Sequence, residues 1–410
     1  MKNLSVRIFA AAATMLVAYL LIWPVPISPQ KWNAPDMPGY QGVHAVNTKL
    51  ANLQTIDIGK EEGPEHLAIG PDGKLYAAMA SGAVVRMAPD GSAQEVFVNT
   101  GGRVLGFDFD AAGNLIAADA IKGLLSIAPD KRITVLADSV STFSKALNPP
   151  ANLPANQAAS PVTAVAPASA AKIQDPIRYA DAVVVAKNGK MYLSDASAKF
   201  APKDWGGTFE ASVLDILEQS ATGRIIEYDP ATKSTRIVAK GMTFANGVAL
   251  SADEQSIFVN ETGKYRVWRI DVAANELDVN TDSLPPAVAS PQARIVLANL
   301  PGYPDNLMRG LPTADGKAKI WLGFAKPRGA AVDKMAGSPL MRKITMRLPR
   351  ALWPIPPQYG HVMAFTEDGQ VVADLQDPTG AYPESTGVTE TADRLYIQSL
   401  HAKTLGWIKK

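Results

Sequence analysis

The sequence predicts an all-β fold, a six-bladed β-propeller with four-stranded antiparallel blades. Short runs of alternating apolar and polar residues indicate strands, and Asp, Gly and Ser between them indicate turns. Residues 241–268 show this pattern as loop, strand, turn, strand, turn and strand. The same turn and strand recur near residues 71–76, 112–116, 187–192, 255–256, 314–322 and 392–396. Repetition of one small antiparallel sheet about six times is typical of a closed propeller.

The composition excludes several classes of protein. The chain has 410 residues, 47% of them hydrophobic, which suffices for one continuous propeller core. Its 40 basic and 39 acidic residues give a net charge of +1, so no nucleic acid partner is expected. Because cysteine is absent, disulfides, thiolate metal sites and cysteine nucleophiles are excluded. The histidines are scattered, and their spacing suggests no zinc site: His44, His66, His361 and His401.

Residues 1–30 form a membrane anchor or signal segment. Lys2 and Arg7 precede an uncharged run over 8–30, which is apolar as far as Trp23. About 20 apolar residues can span a bilayer. A proline-rich stretch follows Trp23 where a cleavage site with small residues would be expected, so we predict an uncleaved anchor. A removed signal peptide is the alternative. The basic residues predict a cytoplasmic N-terminus and a propeller on the periplasmic, exoplasmic or lumenal side.

The remaining chain divides into a linker over 31–50 and the propeller over 51–410, with insertions at about 139–175, 200–220 and 326–357. The first insertion is rich in Ala, Pro and Ser and predicts a mobile surface loop, with a lid as the alternative. The second contains a helical pattern at 209–217. The third is both basic and apolar, which suits either a membrane surface or the propeller face. Strands at 394–399 and 404–408 should complete the blade begun near the N-terminus and close the ring.

The motifs of this chain resemble, in order, those of the strictosidine synthase-like family. They lie at residues 63–65, 102–106, 119–124, 192–197, 244–248, 259–262, 300–306 and 375–378. Within the family, the resemblance is to the adipocyte plasma membrane-associated protein group, whose members are membrane-anchored. A weaker resemblance extends to the gluconolactonase and paraoxonase families. All of these families imply a six-bladed propeller.

Four polar residues fall near the starts of inner strands, which line the channel of a propeller and converge there. They are Glu65, Asp181, Asn246 and Asp305, one in each of four blades. Carboxylates with an amide oxygen form a site for a hard cation such as Ca²⁺. The alternative is that each residue caps a turn. The resemblance implies the same ligands, since these positions match the calcium ligands of the lactonase and paraoxonase relatives. Asn306, beside the last ligand, and Thr386 are predicted to contact substrate.

The resemblance implies a function for this site. In gluconolactonase relatives, the residue matching Asp305 is the general base, and bound Ca²⁺ would polarise a lactone or ester carbonyl. Leu105 stands where paraoxonases carry a catalytic histidine, so no histidine base is expected there. Thr386 matches the glutamate that strictosidine synthases use to condense an amine with an aldehyde. A hydroxyl cannot replace that carboxylate base, so we exclude a Pictet–Spengler reaction. Glu384, two residues away, leaves the register open.

We therefore expect a calcium-dependent hydrolase of lactones or aryl esters, monomeric and attached to the membrane by its N-terminal segment. Its partners would be a small ester or lactone and the bilayer. The alternative is a propeller without catalytic activity that binds a ligand or serves as a scaffold, in which the channel calcium ion is purely structural. Hydrolysis assays and calcium removal would distinguish the two.

Overall fold

The computed structural model describes residues 2–143, 172–280 and 290–410. The chain starts with an exposed helix, α1 (Lys2–Ile22). Its stretch Leu4–Ile22 has a mean hydropathy of 2.0, so it is long and apolar enough to cross a membrane or to serve as a signal. A 3₁₀ helix (Gly42–His44) and the strand β1 (Gln54–Asp57) follow.

The next three sheets follow one another along the chain. Blade one contains β2 (His66–Ile69), β3 (Leu75–Ala78), β4 (Ala83–Met87) and β5 (Glu95–Asn99). Blade two contains β6 (Val104–Phe109), β7 (Leu115–Asp119), β8 (Gly123–Ile127) and β9 (Ile133–Ala137). After a hairpin of β10 (Ser139–Phe143) and β11 (Lys172–Pro176), blade three contains β12 (Ala180–Val185), β13 (Met191–Asp195), β14 (Gly223–Asp229) and β15 (Ser234–Met242).

The other three blades repeat this order. Blade four contains β16 (Ala245–Leu250), β17 (Ser256–Glu261), β18 (Arg266–Asp271) and, after the short β19 (Leu277–Asp278) that pairs with β15, the outer strand β20 (Ala293–Leu297). Blade five contains β21 (Gly302–Arg309), β22 (Lys319–Pro327), β23 (Gly360–Thr366) and β24 (Val371–Asp377). Blade six contains β25 (Ser385–Glu390), β26 (Arg394–Ser399) and β27 (Thr404–Lys409), with β1 at its edge. The predicted six-bladed propeller is confirmed.

The ring closes where the two ends of the propeller chain pair. β1 runs antiparallel to β27, with Gln54 opposite Trp407 and Asp57 opposite Thr404. β1 therefore belongs to the last blade, as predicted for a closed ring, and β27 gains a hydrogen-bonded neighbour instead of an open edge. Apolar side chains pack between adjacent blades, for example Tyr76 and Val84 of blade one against Phe107 and Leu115 of blade two.

The antiparallel order of strands decides where the insertions emerge. Inner strands begin on one face, here called the site face, so each second strand returns to that face. The insertions after β13 and β22 therefore cover the site face with a helical cap. The cap comprises α2 (Pro202–Trp205), α3 (Thr208–Glu218), α4 (Ala330–Met335), α5 (Pro339–Arg347) and a 3₁₀ helix (Arg350–Leu352). α3 corresponds to the helix predicted at 209–217.

The chain after α1 is packed into this cap. Ile27 is buried among apolar residues of α3 and of blades two and three. The backbone N–H of Ser28 donates to the carboxylate of Glu218 at 2.8 Å. Arg342 of α5 is almost fully buried and donates to the carbonyls of Leu217 and Gln30. Part of the segment predicted as anchor and linker is thus a structural element of the site face.

The ends of the first predicted insertion are ordered, which the sequence reasoning did not expect. Ser139 lies opposite Pro176 and Phe143 opposite Lys172, so the ends pair as β10 and β11. Asp175 and the carbonyl of Pro176 bind Arg224 of β14, which ties the hairpin to blade three. The prediction of a loop is wrong for these ends. The middle of the insertion, 144–171, lies outside the described residues.

Candidate active site

The inner strands bring the predicted ligands to one end of the channel. Glu65 directly precedes β2, whereas Asp181, Asn246 and Asp305 lie within the first half of β12, β16 and β21. All four side chains are at least nine-tenths buried, and all four line one cavity. The structure therefore gathers residues from four blades on the site face, although three of them lie slightly further into their strands than the sequence suggested.

An interruption of strand pairing accompanies these residues. The pairing of β12, β16 and β21 with their neighbours shifts register at Asp181, at Asn246 and next to Asp305. β-bulges re-aim side chains and often occur beside active sites. Gly247 follows Asn246, and a Cβ atom there would lie 2.4 Å from the carbonyl oxygen of Asp305. Glycine at 247 thus lets two adjacent inner strands approach closely at the site.

All three carboxylates have raised pKa values, and burial is the largest cause for each of them. Burial raises the pKa of Asp181 well above its usual value, and the charges of Asp305 and Glu65 add to this effect. Burial likewise raises the pKa of Asp305, with Glu65 as the next contributor. The buried Tyr179 hydroxyl beside them has a pKa raised well above normal, by burial and then by Asp181. The site concentrates negative charge that the surrounding protein compensates poorly.

Arg103 places a positive charge beside one of these carboxylates, that of Glu65. This residue directly precedes β6 of blade two and donates to the carboxylate of Glu65 and to the carbonyl of Met79. Burial nevertheless prevails over this ion pair, and the pKa of Glu65 is raised. The sequence reasoning missed Arg103 as a site residue, although its position before an inner strand matches that of Glu65.

Asn306 and Thr386, predicted to contact substrate, do not line the cavity. Asn306 Nδ2 donates to the carbonyl oxygen of Glu65 at 2.8 Å, and Thr386 Oγ1 donates to the same oxygen at 2.9 Å. Both side chains are almost completely buried. Blades five and six therefore hold the backbone of Glu65 in place. Through this backbone contact, Asn306 and Thr386 position the carboxylate of Glu65.

The donor set has the chemistry of a hard-cation site. Three carboxylates and an amide supply oxygen ligands, and the buried Asn246 Oδ1 has no hydrogen-bond partner among the described residues. Within that same part of the chain, no residue donates a hydrogen bond to the carboxylate of Asp181. The oxygens of Glu65, Asp181 and Asp305 are not all within 4.8 Å of one another. Oxygens on opposite sides of Ca²⁺ are about 5 Å apart, so this spacing is compatible with the ion. Because Arg103 is paired with Glu65, it would have to release this carboxylate before Glu65 could bind a cation.

The cavity above these residues has a volume of about 480 Å³, within the range of roughly 300–1,000 Å³ that is common for small-molecule sites. Its floor is the carboxylate group, and its walls come from the helical cap. Most of those wall residues are apolar, among them Phe209, Val213, Ile216, Met335, Trp353 and Ile355. A ligand would place a polar group on the floor and an apolar part against the cap.

A histidine also reaches this cavity, from the loop after β26. His401 Nδ1 is hydrogen-bonded to Glu384, whose other oxygen is 2.5 Å from Lys326 Nζ. The hydrogen bond with Glu384 raises the pKa of His401. Burial alone would raise the pKa of Glu384, but the hydrogen bonds from His401 and Lys326 lower it. No histidine stands at Leu105, as expected, yet a protonatable imidazole enters the site from another blade. The sequence offers no motif that would reveal this approach.

Two other histidines are not scattered in space, which corrects the sequence reasoning. His44 Nδ1 and His361 Nε2 lie 2.7 and 2.9 Å from the same oxygen of Asp374, on the outer strand of blade five. Gln376 and Asn47 donate to the other oxygen of Asp374. This histidine clasp of His44, His361 and Asp374 fastens the segment after the anchor to the propeller. Its carboxylate oxygens are already occupied by hydrogen bonds, as expected for a structural role.

Comparisons of the sequence agree with this architecture. The family described as strictosidine synthase-like, N-terminal, matches residues 42–87, and the strictosidine synthase family matches residues 181–274. Protein STRICTOSIDINE SYNTHASE-LIKE 7 of Arabidopsis thaliana is 29% identical over 343 residues, covering 80% of this chain and 74% of that protein. The chain is related to the strictosidine synthase-like proteins. Another relative in this group is the adipocyte plasma membrane-associated protein of Bos taurus, 25% identical across 98% of this chain and 92% of its own.

Solved structures share the fold. A gluconolactonase from Xanthomonas campestris superposes with a TM-score of 0.53 and 14% sequence identity, covering 94% of this chain and 98% of that chain. A calcium-binding protein, regucalcin, from Agrobacterium tumefaciens superposes with a TM-score of 0.50 and 11% identity, covering 87% and 94%. At this level of identity the likeness shows the propeller fold alone. The predicted resemblance of this chain to the gluconolactonase propellers is confirmed at the level of the fold.

Proposed function

We propose that the protein is a hydrolase of lactones or esters whose site depends on calcium. The observation that carries this proposal is the group of three buried carboxylates, with raised pKa values, at the floor of an apolar cavity. Perturbed carboxylates in a cleft are typical of functional sites. The gluconolactonase and the calcium-binding regucalcin that share the fold support both the reaction class and the ion by analogy.

Glu65, Asp181, Asn246 and Asp305 would hold the cation. Bound there, Ca²⁺ would supply a positive charge that polarises the carbonyl of the substrate. The unpartnered Asn246 Oδ1 and the mutual repulsion of the carboxylates favour such an ion. Asn306 and Thr386 would act indirectly, because they position Glu65 through its carbonyl oxygen.

The side chains of the site would divide the proton transfers. Asp305 would accept a proton from water as the water oxygen attacks the carbonyl carbon. Arg103 would stabilise the negative charge that develops on the carbonyl oxygen. When the bond between the carbonyl carbon and the leaving oxygen breaks, protonated His401 would give its proton to that oxygen. The raised pKa of His401, caused by Glu384, suits a general acid.

A Pictet–Spengler condensation is a poorer fit. Thr386 is buried and turned to Glu65, and the nearby Glu384 is held by Lys326 and His401. Because those hydrogen bonds lower the pKa of Glu384, its carboxylate is a weak base.

Hydrolysis of phenyl acetate and γ-butyrolactone by the full chain in detergent tests the proposal. We expect activity that calcium restores after chelation and that Asp305→Asn lowers by at least 100-fold. The matched control is Asp315→Asn, an exposed aspartate of the loop between β21 and β22 on the opposite face. Equal rates for wild type and Asp305→Asn would refute the hydrolase. Calcium binding without hydrolysis would instead support a binding or scaffold propeller.

A further inference from the structure

The membrane-length helix α1 ends directly against the helical cap. Arg347 of α5 donates to the carbonyls of Leu20 and Trp23 at 2.8 and 2.7 Å. The hydroxyl of Tyr19 donates to the carbonyl of Arg347 at 3.1 Å. The rings of Tyr19 and Trp23 contact each other at the end of the helix in a tilted arrangement, with centroids 5.7 Å apart and an interplanar angle of 43°. Aromatic residues of this kind concentrate at membrane interfaces.

The short segment between the end of α1 and the first buried residue after it limits the distance between the propeller and a bilayer. Ile22 is the last residue of α1, and Ile27 is already buried beneath α3. Five extended residues span at most about 18 Å. If α1 crosses a membrane, the site face must therefore lie within about that distance of the bilayer surface, and the opposite face must point away.

The surface that would meet the bilayer is apolar. Large apolar side chains from separate segments are exposed on this face, and together they form what we call the apolar rim: Trp23, Trp205, Phe209, Leu340, Met341, Leu352 and Ile355. Phe209 and Ile355 also line the cavity, so the rim continues into its wall. Lys203 and Asp204, next to Trp205, are exposed, and so is Lys334 of α4. Exposed apolar side chains of this kind, flanked by charged residues, suit insertion among lipid head groups.

From this arrangement we infer that the apolar rim lies in the membrane surface and that the cavity takes its substrate from the bilayer. The substrate class is a long-chain amphipathic ester or lactone. Its carbonyl would lie on the carboxylate floor, and its hydrocarbon chain would pass along Phe209 and Ile355 to the lipid. The substrate class rests on the proposed hydrolase function, whereas the orientation of the propeller does not.

Site-specific fluorescence tests the orientation without reference to activity. Because the chain has no cysteine, single cysteines can be introduced and labelled with an environment-sensitive NBD probe. Leu340→Cys and Leu352→Cys report on the rim, and Asp315→Cys reports on the opposite face. In full-length protein reconstituted in vesicles of phosphatidylcholine and phosphatidylglycerol, we expect blue-shifted rim probes that spin-labelled lipid quenches. The probe at residue 315 should behave as in water. Rim probes whose emission and quenching match those of the probe at residue 315 would overturn the inference.

Hydrolysis of paired substrates tests the source of the ligand. In vesicles, we expect kcat/KM for 4-nitrophenyl palmitate to exceed that for 4-nitrophenyl acetate by at least tenfold. Leu340→Asp lies outside the cavity, and it should reduce the rate on the palmitate at least tenfold and leave the rate on the acetate unchanged. Equal effects on both esters would refute entry from the bilayer. If neither ester is hydrolysed, the proposed function and the substrate class fail, while the probes still decide the orientation.

Discussion

Arg103 and Glu65, from adjacent blades, form an ion pair in the cavity that the other predicted calcium ligands also line. The guanidinium therefore occupies one carboxylate that a cation would need. Two other buried carboxylates, Asp181 and Asp305, are left without a cationic hydrogen-bond partner in the described part of the chain. Burial and the neighbouring carboxylates disfavour the charged forms of both residues, which is the physical reason to expect a cation there.

The competition between Arg103 and a cation gives a first prediction. Arg103→Gln removes a positive charge beside the ligands, so the affinity for Ca²⁺ should rise at least tenfold. Isothermal titration calorimetry of calcium into the full chain in detergent measures this change. Arg86→Gln is the control, since Arg86 forms a more exposed ion pair with Glu95 in blade one. An unchanged or weaker affinity in Arg103→Gln would argue against shared use of Glu65.

The raised pKa values of the carboxylates give a second prediction. A folded-state pKa above the unfolded value contributes stability at low pH that is lost as pH rises through the folded value. In chelator, the stability that these three carboxyls contribute should therefore fall as pH rises above about 4, the unfolded value, and a comparison with a variant isolates that contribution from the other titrating groups. Asp181→Asn removes one such group, so at pH 8 it should melt above wild type in chelator. With millimolar calcium the order should reverse, because only wild type gains the full binding energy.

Differential scanning calorimetry of both proteins at pH 5 and pH 8 checks this sign. The difference between wild type and Asp181→Asn in chelator should be smaller at pH 5, where the wild-type carboxyl is more fully protonated. If Asp181→Asn melts below wild type at pH 8 without calcium, the carboxylate is not a source of strain and the cation site loses its electrostatic basis.

The histidine clasp gives a third prediction. Asp374 accepts hydrogen bonds from His361 and His44, which outweigh its burial and lower its pKa. A lowered folded-state pKa contributes stability above the unfolded value that is lost as pH falls through the folded value. Asp374→Asn should therefore cost about 1–3 kcal/mol at pH 7 and less in strong acid. Urea unfolding measures the cost, with the exposed Asp393→Asn as the control. Equal stability of the two variants would mean that the clasp contributes nothing.

The retention of the anchor is a fourth prediction. Ile27 is buried, and Ser28 is held by Glu218, so cleavage near Ser28 would remove contacts from the site face. We expect intact-mass spectrometry of protein from the membrane fraction to show a chain that includes residues 2–27. Ile27→Asp should lower the melting temperature because it buries a charge. Recovery of a stable, soluble chain that starts near Ser28 would contradict this prediction.

The sequence predicted the ring well because strands of period two and recurrent turns are local signals. Closure through β1 and β27 followed from the rule that sheet edges need partners. Asp181, Asn246 and Asp305 could be found because equivalent positions in repeated blades converge on the channel. Arg103 occupies the position before an inner strand that Glu65 occupies in blade one, but it is a cation and was not considered as a ligand. His401 could not be identified as a site residue, since it belongs to no repeated polar position. The approach of both residues to the cavity depends on loop geometry.

The helical cap was predictable only in part. The helical period at 209–217 predicted α3. The basic and apolar residues of 326–357 were compatible with contact either to a membrane surface or to the propeller face. In the structure, α5 packs inward through Arg342, which is buried and donates to the carbonyl of Leu217 in α3, whereas Leu340 and Met341 are exposed. Contact of these exposed residues with a membrane stays a prediction. The contact of Arg347 with the end of α1 joins residues more than 300 positions apart. No local pattern could reveal that contact.

The most direct test of the central claim joins calcium binding to hydrolysis in one sample. Calcium is titrated into chelated, full-length protein while phenyl acetate hydrolysis and the heat of binding are both recorded, for wild type, Asp305→Asn and Asp315→Asn. We predict one calcium ion per chain and a hydrolysis rate that rises with occupancy in wild type and Asp315→Asn, and neither in Asp305→Asn. A hydrolysis rate that is the same at every calcium concentration and in all three proteins would contradict the account.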